Sequence, residues 1–348
     1  MSTTSPYYPS RRFIRALLIA TYGLISICAI LNHGPNFSTI TSPSPNPHLR
    51  PPPKYAFATI LTGEGDPESN LENPYFVAAR LLTYQLLHSP ETSSAGNIPL
   101  LVLVTDNIPQ EQRSILASDG ATIVPVQRIT REWVHPKWAR WEGVLAKLNA
   151  WRMIEYDKIV FLDADSILFK AIDGIFTDPA TDSQQTKQKG DRDEDVDSTT
   201  SSLPDTYLTA GTHDTWVEAN LPPQPGKGTD FYVRDNYMNA GFFVFAPSEE
   251  VFQYYVSLLD KPGAFEANYP EQNLLNYAHR VDGRMPWRDI GVQWSQKGAS
   301  RAQYEGGLKS VHQKWWIAMH DEVLDGYVEN VMAEMRAFVA ERRALIGL

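Results

Sequence analysis

The sequence has 348 residues, of which 43% are hydrophobic and 11% aromatic. A chain of this length and composition can bury a sizeable core, so we expect one large domain with shorter appendages. The formal net charge is −10, from 31 Lys and Arg against 41 Asp and Glu, which argues against a nucleic-acid-binding surface. The single cysteine, Cys28, excludes an intrachain disulfide. An anionic ligand would therefore need a bound metal or a few well-placed Lys and Arg side chains.

The first 54 residues have the pattern of a membrane anchor followed by a stem. Arg11, Arg12 and Arg15 border an apolar run that ends at Leu31, and a helix over residues 13–31 would span about 28 Å, close to a bilayer core. The preceding basic residues predict a cytoplasmic tail at 1–12 and a lumenal domain in the Golgi or another secretory compartment. A cleaved signal peptide has a similar basic start and apolar core, although no small-x-small cleavage site follows. Residues 32–54, which are rich in proline, are typical of an extended stem.

From residue 55 onward, short apolar runs alternate with amphipathic segments. The predicted strands cover residues 55–61, 99–105, 122–126, 158–162 and 238–246. The predicted helices cover residues 73–88, 109–117, 138–156, 248–260, 271–280 and 332–345. Asn73 and Ser248 are the expected N-caps of two of them. In the helix at 138–156, Lys147 would lie well away from the apolar stripe that includes Leu145. This alternation predicts an open α/β sheet within one domain at 55–348. Residues 178–204 are polar and acidic, which predicts a disordered surface insertion.

Two aspartates, Asp163 and Asp165, follow directly after the apolar strand at 158–162. Ligands of open α/β sheets bind beyond the carboxyl ends of the strands, and residues i and i+2 of an extended segment point the same way. Both carboxylates can therefore reach one Mg²⁺ or Mn²⁺ that also holds phosphate oxygens. The same triplet can simply cap backbone amides at a turn. Phosphohydrolases with an aspartate nucleophile have a similar aspartate pair after an apolar strand, with Asp163 as the nucleophile in this chain. Their pair lies near the start of the domain, whereas Asp163 follows about 100 residues of predicted α/β structure, which disfavours this class.

Several blocks of residues occur in a fixed order around this aspartate pair. They are Lys147–Trp151, Tyr156–Asp165, Ile172–Phe176, Asn239–Phe245, Glu271–Asn276, and His312 with Lys314–Trp316. In this order, from about Tyr55 to Trp316, the chain resembles retaining glycosyltransferases of the glycogenin and galactinol synthase type. The resemblance implies a single GT-A-like, Rossmann-like nucleotide-sugar-binding domain with a mixed, mostly parallel central sheet. This α/β domain would follow the N-terminal transmembrane helix.

The resemblance also implies roles for particular residues. Asp163, Asp165 and His312 would bind Mn²⁺, with Mg²⁺ as the alternative metal. Donor contacts would come from Leu61, Thr62, Tyr75, Lys147, Asp163, Ala164, Asp165 and Lys314, and catalytic contacts from Lys147, Asn239, Glu271 and Gln272. Two departures from the family pattern stand out: Glu271 replaces the usual aspartate, and Lys314 follows His312 at a shorter spacing. A solvated lysine is the plain alternative for both Lys147 and Lys314, and an ordinary surface or hydrogen-bonded histidine is the alternative for His312.

The reaction implied by the resemblance is transfer of a hexose or N-acetylhexosamine from a nucleotide sugar, UDP-linked, with retention at the anomeric carbon. The acceptor would be a carbohydrate or glycoconjugate, and the membrane would be a partner through residues 13–31. Two other classes stay open: a metal-dependent phosphohydrolase that uses Asp163, and an inactive membrane-tethered binding or scaffold protein.

Overall fold

The computed structural model describes residues 54–63, 70–188, 203–214 and 236–346. The predicted tail at 1–12, the predicted transmembrane segment at 13–31 and nearly all of the predicted stem at 32–54 lie outside these ranges. Within the described ranges, no helix combines the length and apolar character needed to cross a membrane.

Twelve strands and six α-helices are assigned among the described residues. The strands are β1 Tyr55–Leu61, β2 Leu100–Val104, β3 Thr122–Pro125, β4 Lys158–Leu162, β5 Ser166–Leu168, β6 Gln184–Gln185, β7 Thr206–Tyr207, β8 Thr209–His213, β9 Met238–Phe245, β10 Arg288–Asp289, β11 Gln296–Lys297 and β12 Ser310–His312. The helices are α1 Pro74–Leu87, α2 Gln110–Asp119, α3 Glu249–Leu259, α4 Pro270–Ala278, α5 Arg301–Glu305 and α6 Glu322–Ile346. Short 3₁₀ helices cover Ala139–Trp141, Val144–Arg152, Asp173–Thr177 and Pro179–Thr181.

The central sheet has seven strands in the order β10-β8-β9-β4-β1-β2-β3. Neighbouring strands from β4 to β3 pair in parallel, and β10 pairs with β8 in parallel. Strand β9 is antiparallel to both of its neighbours. The prediction of an α/β fold with a mixed, mostly parallel sheet is therefore confirmed. A second sheet of three strands, in the order β11-β12-β5, stands beside the carboxyl end of β4.

Both faces of the central sheet are covered, which explains why its inner strands are almost continuously apolar. In β1, Phe57 packs into one hydrophobic cluster while Ala56 and Ala58 pack into the other. On the second face, the ring of Phe161 stacks on Phe243 with a centroid distance of 5.4 Å. These packed layers give the aspartates after β4 a rigid base.

The first helix begins where its cap predicts. The side chain of Asn73 accepts hydrogen bonds from the backbone N–H groups of Tyr75, at 3.0 Å, and Phe76, at 3.3 Å. Pro74 occupies the first helical turn, where its missing N–H is not needed. This start places Tyr75 beside the end of β1.

The predicted helix over 138–156 is wrong in type. The segment forms two 3₁₀ helices separated by Glu142 and Gly143. A 3₁₀ helix has three residues per turn, so Leu145, Leu148 and Trp151 lie on one buried face. Lys147 was expected well away from that apolar stripe, but it is buried as well.

The predicted disordered insertion at 178–204 is too long at both ends. Residues 178–188 are described, and Gln184–Gln185 pairs with Thr206–Tyr207 as β6 and β7. Asp178 is fixed because its carboxylate accepts from Trp294 Nε1 at 2.9 Å and from Ala180 N at 2.9 Å. Residues 189–202 lie outside the described ranges.

The last helix begins ten residues earlier than the predicted 332–345, at Glu322. Asp321 explains this start, because its side chain accepts from Val323 N at 2.9 Å and from Leu324 N at 3.3 Å. An aspartate cap of this kind satisfies amide groups of the first turn.

Candidate active site

A cleft of about 450 Å³ opens beyond the ends of β1 and β4. All the site residues predicted from the sequence line it: Leu61, Thr62, Tyr75, Lys147, Asp163, Ala164, Asp165, Asn239, Glu271, Gln272, His312 and Lys314. They come from the end of β1, α1, the 3₁₀ helix Val144–Arg152, the segment after β4, β9, α4 and the segment at the end of β12. The structure thus brings the predicted residues together, while their individual roles stay predictions.

The centre of the cleft holds two carboxylates and one imidazole. Asp163 leaves β4 with its N–H bonded to the carbonyl of Gly241 at 2.9 Å. His312 ends β12, opposite Ser166 in β5, and its Nε2 lies 3.1 Å from Asp165 Oδ1 and 3.7 Å from Asp163 Oδ2. One ligand atom from each of the three residues lies within 4.8 Å of the others. The group has the spacing and the donor types of a metal site.

Asn239 orients the imidazole of His312. The Nδ1 atom of His312 lies 3.0 Å from Asn239 Oδ1, and a carboxamide oxygen can only accept a hydrogen bond. In the neutral ring the proton is therefore on Nδ1, and the Nε2 lone pair faces the carboxylates. Metal-binding histidines are typically fixed in this way by a partner on the other ring nitrogen.

In the centre of the cleft, neighbouring groups of opposite charge favour each other's ionised forms. Burial raises the pKa of Asp165, but His312 and Lys314 together lower it by a larger amount. The pKa of Asp165 therefore lies well below its usual range. Burial lowers the pKa of His312, but Asp165 and Asp163 together raise it by more, so the net shift of this pKa is upward. The two carboxylates thus make the electrostatic potential near His312 Nε2 negative. A negative potential at this position favours the binding of a cation.

Lys147 is a buried residue in the wall of the cleft, in contact with two carboxylates. Only 1% of its side chain is exposed, and its Nζ lies 2.9 Å from Asp163 Oδ1 and 3.3 Å from Glu271 Oε1. The ammonium also donates to the carbonyl of Ala240 at 2.9 Å. Lys147 therefore holds Asp163 and Glu271 in place, and its predicted contact with donor phosphates stays a prediction.

Lys314 reaches the aspartates in spite of its short spacing from His312. Its Nζ lies 3.4 Å from Asp165 Oδ2 and 5.8 Å from the ring centroid of Tyr75. The Tyr75 ring packs edge-on against Trp316, with a centroid distance of 5.0 Å. This corner of the cleft combines a cation with an aromatic face.

The amide of Gln272 is held on both sides. Its Oε1 accepts from Ala240 N at 2.9 Å, and its Nε2 donates to Asp214 Oδ2 at 2.8 Å. Asp214 in turn pairs with Lys297 at 2.7 Å. Helix α4, which carries Glu271 and Gln272 in its first turn, is thereby tied to β9 and to β11.

Sequence reasoning missed several residues of the cleft, chiefly Arg140, Trp141, Asp214, Tyr269 and Lys297. Arg140 lies between two tryptophans, with its Cζ 5.2 Å from the ring of Trp141. Its position just before the Lys147 block was an available signal. Asp214 and Lys297 belong to no motif, and only the folded chain brings them together.

Comparison of the sequence with known proteins indicates the class of enzyme to which the chain belongs. No protein-family model matches the chain. Galactinol synthase 1 of Solanum lycopersicum is 26% identical over 314 residues, which cover 78% of this chain and 83% of the relative. The Schizosaccharomyces pombe protein C5H10.12c is 27% identical over 316 residues, covering 82% of this chain and 81% of the relative.

Two further comparisons cover less or carry less weight. UDP-glucuronate:xylan alpha-glucuronosyltransferase 1 of Arabidopsis thaliana is 33% identical over 133 residues, which cover 38% of this chain and 18% of the relative. Among solved structures, the galactosyltransferase LgtC in complex with donor and acceptor sugar analogs has a TM-score of 0.44 at 12% identity, covering 80% of this chain and 95% of LgtC. The sequence relatives confirm the resemblance to glycosyltransferases of the glycogenin and galactinol synthase type, and the chain is a glycosyltransferase.

Proposed function

We propose that the protein is a metal-dependent glycosyltransferase that moves a hexose or N-acetylhexosamine from a UDP-sugar to a carbohydrate or glycoconjugate acceptor, with retention. The observation that carries the proposal is the convergence of Asp163, Asp165 and His312 within 4.8 Å, in a cleft at the carboxyl edge of the sheet. The relatives that are named as galactinol synthases and as a UDP-glucuronate-dependent transferase support the donor class.

The donor set fits the proposed metal. Two carboxylates and one imidazole, neutral when its Nε2 binds a metal, suit Mn²⁺, and Mg²⁺ is the alternative that carboxylates alone would favour. The hydrogen bond from His312 Nδ1 to Asn239 leaves Nε2 available. When bound, the metal would supply positive charge for the departing diphosphate.

The protein's own groups have complementary tasks in this proposal. Lys314, beside Asp165 and Tyr75, provides a mobile positive charge for the donor phosphates. Tyr75 offers an aromatic surface for the base. Lys147 keeps Asp163 and Glu271 in fixed positions from below. Gln272, which is held by hydrogen bonds to Ala240 and Asp214, would contact the transferred sugar.

Retention is proposed through attack on the face that the diphosphate leaves. The other route needs a carboxylate free to act as a nucleophile beneath the sugar. Glu271 is the candidate for that task, but it is 13% exposed and paired with Lys147 at 3.3 Å. Same-face attack asks mainly for positioning and electrostatic stabilisation, which the cleft residues provide.

The test is nucleotide release by the purified full-length protein from a panel of UDP- and GDP-sugars, with Mn²⁺ and with a chelator. We expect metal-dependent release from one UDP-sugar. Asp165→Asn should abolish it, because the substitution removes a charge that both His312 and Lys314 contact. Asp182→Asn is the matched control, since Asp182 is 72% exposed and lies outside the cleft residues. Release that persists in chelator would contradict the metal role, and release from Asp165→Asn would contradict the site.

We also propose that residues 13–31 anchor the protein in a Golgi or neighbouring secretory membrane, with the catalytic domain in the lumen. The support is the basic-flanked apolar run and the proline-rich stem. The C-terminal domain should resist protease in intact microsomes and become sensitive when detergent is added. Digestion without detergent would refute this topology.

The two alternative classes gain no support from the described residues or from the relatives. A phosphohydrolase would form an aspartyl-phosphate on Asp163 and release inorganic phosphate. An inactive scaffold would show no turnover. The nucleotide-release assay separates both from a glycosyltransferase.

A further inference from the structure

The imidazole of His312 lies directly against the backbone of Gly241 in β9. A Cβ atom added to Gly241 would be 2.1 Å from His312 Cε1, 2.2 Å from Nδ1 and 2.8 Å from Nε2. Real Cβ atoms do not approach other atoms so closely. Gly241 is not among the described glycines with positive φ, so it is needed here for space rather than for an unusual backbone conformation.

The backbone of Gly241 cannot easily withdraw from the ring. Its carbonyl accepts from Asp163 N at 2.9 Å, and its N–H donates to Asn239 Oδ1 at 2.8 Å. The next residue, Phe242, is paired with Leu162 in β4. With the strand fixed in this way, an added methyl group would displace the imidazole instead.

We propose that Gly241 is a positioning residue of the candidate metal site. Its missing side chain gives the imidazole of His312 the room to place Nε2 beside the two carboxylates. A displaced ring would lose both the 3.0 Å contact of Nδ1 with Asn239 and the 3.1 Å approach of Nε2 to Asp165. The inference rests on the proposed function, because the metal site is part of that proposal.

The test measures Mn²⁺ binding by the full-length protein in the absence of donor. The concentration of free Mn²⁺ is determined from its electron paramagnetic resonance signal. Gly241→Ala should weaken binding about 10- to 100-fold, the usual effect of disturbing the support of a metal ligand. Gly211→Ala in the neighbouring strand is the matched control. There the added Cβ would meet Met238 at 2.7 Å, so it crowds the core without touching a ligand. Gly211→Ala should lower the melting temperature and leave the affinity for Mn²⁺ unchanged.

A second arm separates the imidazole contact from a general packing defect. In a His312→Ala background the ring is absent, so adding Gly241→Ala should change neither the melting temperature nor the residual Mn²⁺ affinity. If Gly241→Ala does not fold alone but folds together with His312→Ala, the contact is supported. Equal damage in both backgrounds would overturn the inference.

The two proposals fail in different ways. A wild-type protein that binds Mn²⁺ and a Gly241→Ala variant that binds it equally well would overturn this inference while leaving the proposed function intact. A wild-type protein with no affinity for Mn²⁺ would overturn both. Weak binding by Gly211→Ala as well as by Gly241→Ala would also overturn the inference, because the effect would then follow from crowding in the sheet.

Discussion

The buried ammonium of Lys147 provides the sharpest test of how the site is held together. Its Nζ lies 2.9 Å from Asp163 and 3.3 Å from Glu271. At an effective dielectric constant of about 20, these separations correspond to attractions of roughly 6 and 5 kcal/mol. The desolvation of three charged groups offsets most of this gain. Removing Lys147 alone, however, leaves two carboxylates without their cation, which typically costs about 3–5 kcal/mol.

We therefore expect Lys147→Met to lower the free energy of unfolding by about 3–5 kcal/mol at pH 7. The measurement is urea unfolding in metal-free buffer, with tryptophan fluorescence as the signal. Burial lowers the pKa of Lys147, but Asp163 and Glu271 raise it by more, so its net shift is upward. A group whose folded pKa is raised stabilises the fold at lower pH and loses that effect only as the pH rises through the folded value. The stabilisation by Lys147 should thus be complete at neutral pH.

The control is the double variant Lys147→Met with Glu271→Gln. Removing one of the two unpaired negative charges should recover about 1–3 kcal/mol, within the range of coupling energies between contacting residues. If Lys147 is instead a solvated ligand of the donor phosphates, as the sequence suggested, Lys147→Met should change stability by less than about 0.5 kcal/mol. That result, with weaker donor binding, would refute the structural argument.

Two further predictions concern stability. Burial lowers the pKa of His279 to about 4, so the unfolded chain binds more protons than the folded one between about pH 4 and 6.5. Stability should fall by up to about 3 kcal/mol as the pH drops through that window, and His279→Gln should flatten the dependence of the urea midpoint on pH. Asn73→Ala should cost about 1 kcal/mol, the usual value of a helix cap, and Asn73→Ser should restore most of it; a loss below about 0.3 kcal/mol would contradict the capping role.

The sequence predicted those parts of the fold that depend on local patterns. The inner strands are long apolar runs between turn residues, and Asn73 and Ser248 are single-residue cap signals that the structure confirms. The sheet that carries His312 was not predicted, because β5, β11 and β12 are two or three residues long. Such strands show no periodicity. The ordered contact of Asp214 with Lys297 likewise has no local signature.

The site was predicted as a set of residues more accurately than as a set of roles. The resemblance of the motif blocks to a known family identified residues that share the cleft, although those blocks are far apart in the sequence. The sequence did not reveal that Lys147 is buried beside Asp163. An α-helix was predicted for this segment, and the 3₁₀ helix that forms has a different number of residues per turn, so different side chains face the core. The tie between Asn239 and His312 was also missed, because it depends on the distance between two strands of different sheets.

The short spacing between His312 and Lys314 still allows both side chains to reach Asp165, because the chain leaves β12 directly after His312. Strand β12 pairs antiparallel with β5, and after its end Gln313 N donates to the carbonyl of Asp165 at 3.1 Å. His312 and Lys314 both contact Asp165, with His312 Nε2 3.1 Å from Oδ1 and Lys314 Nζ 3.4 Å from Oδ2. The carboxylate of Asp165 thus contacts both His312, a proposed metal ligand, and Lys314, the proposed cation for the donor phosphates. For this reason Asp165→Asn should weaken Mn²⁺ binding and nucleotide binding together.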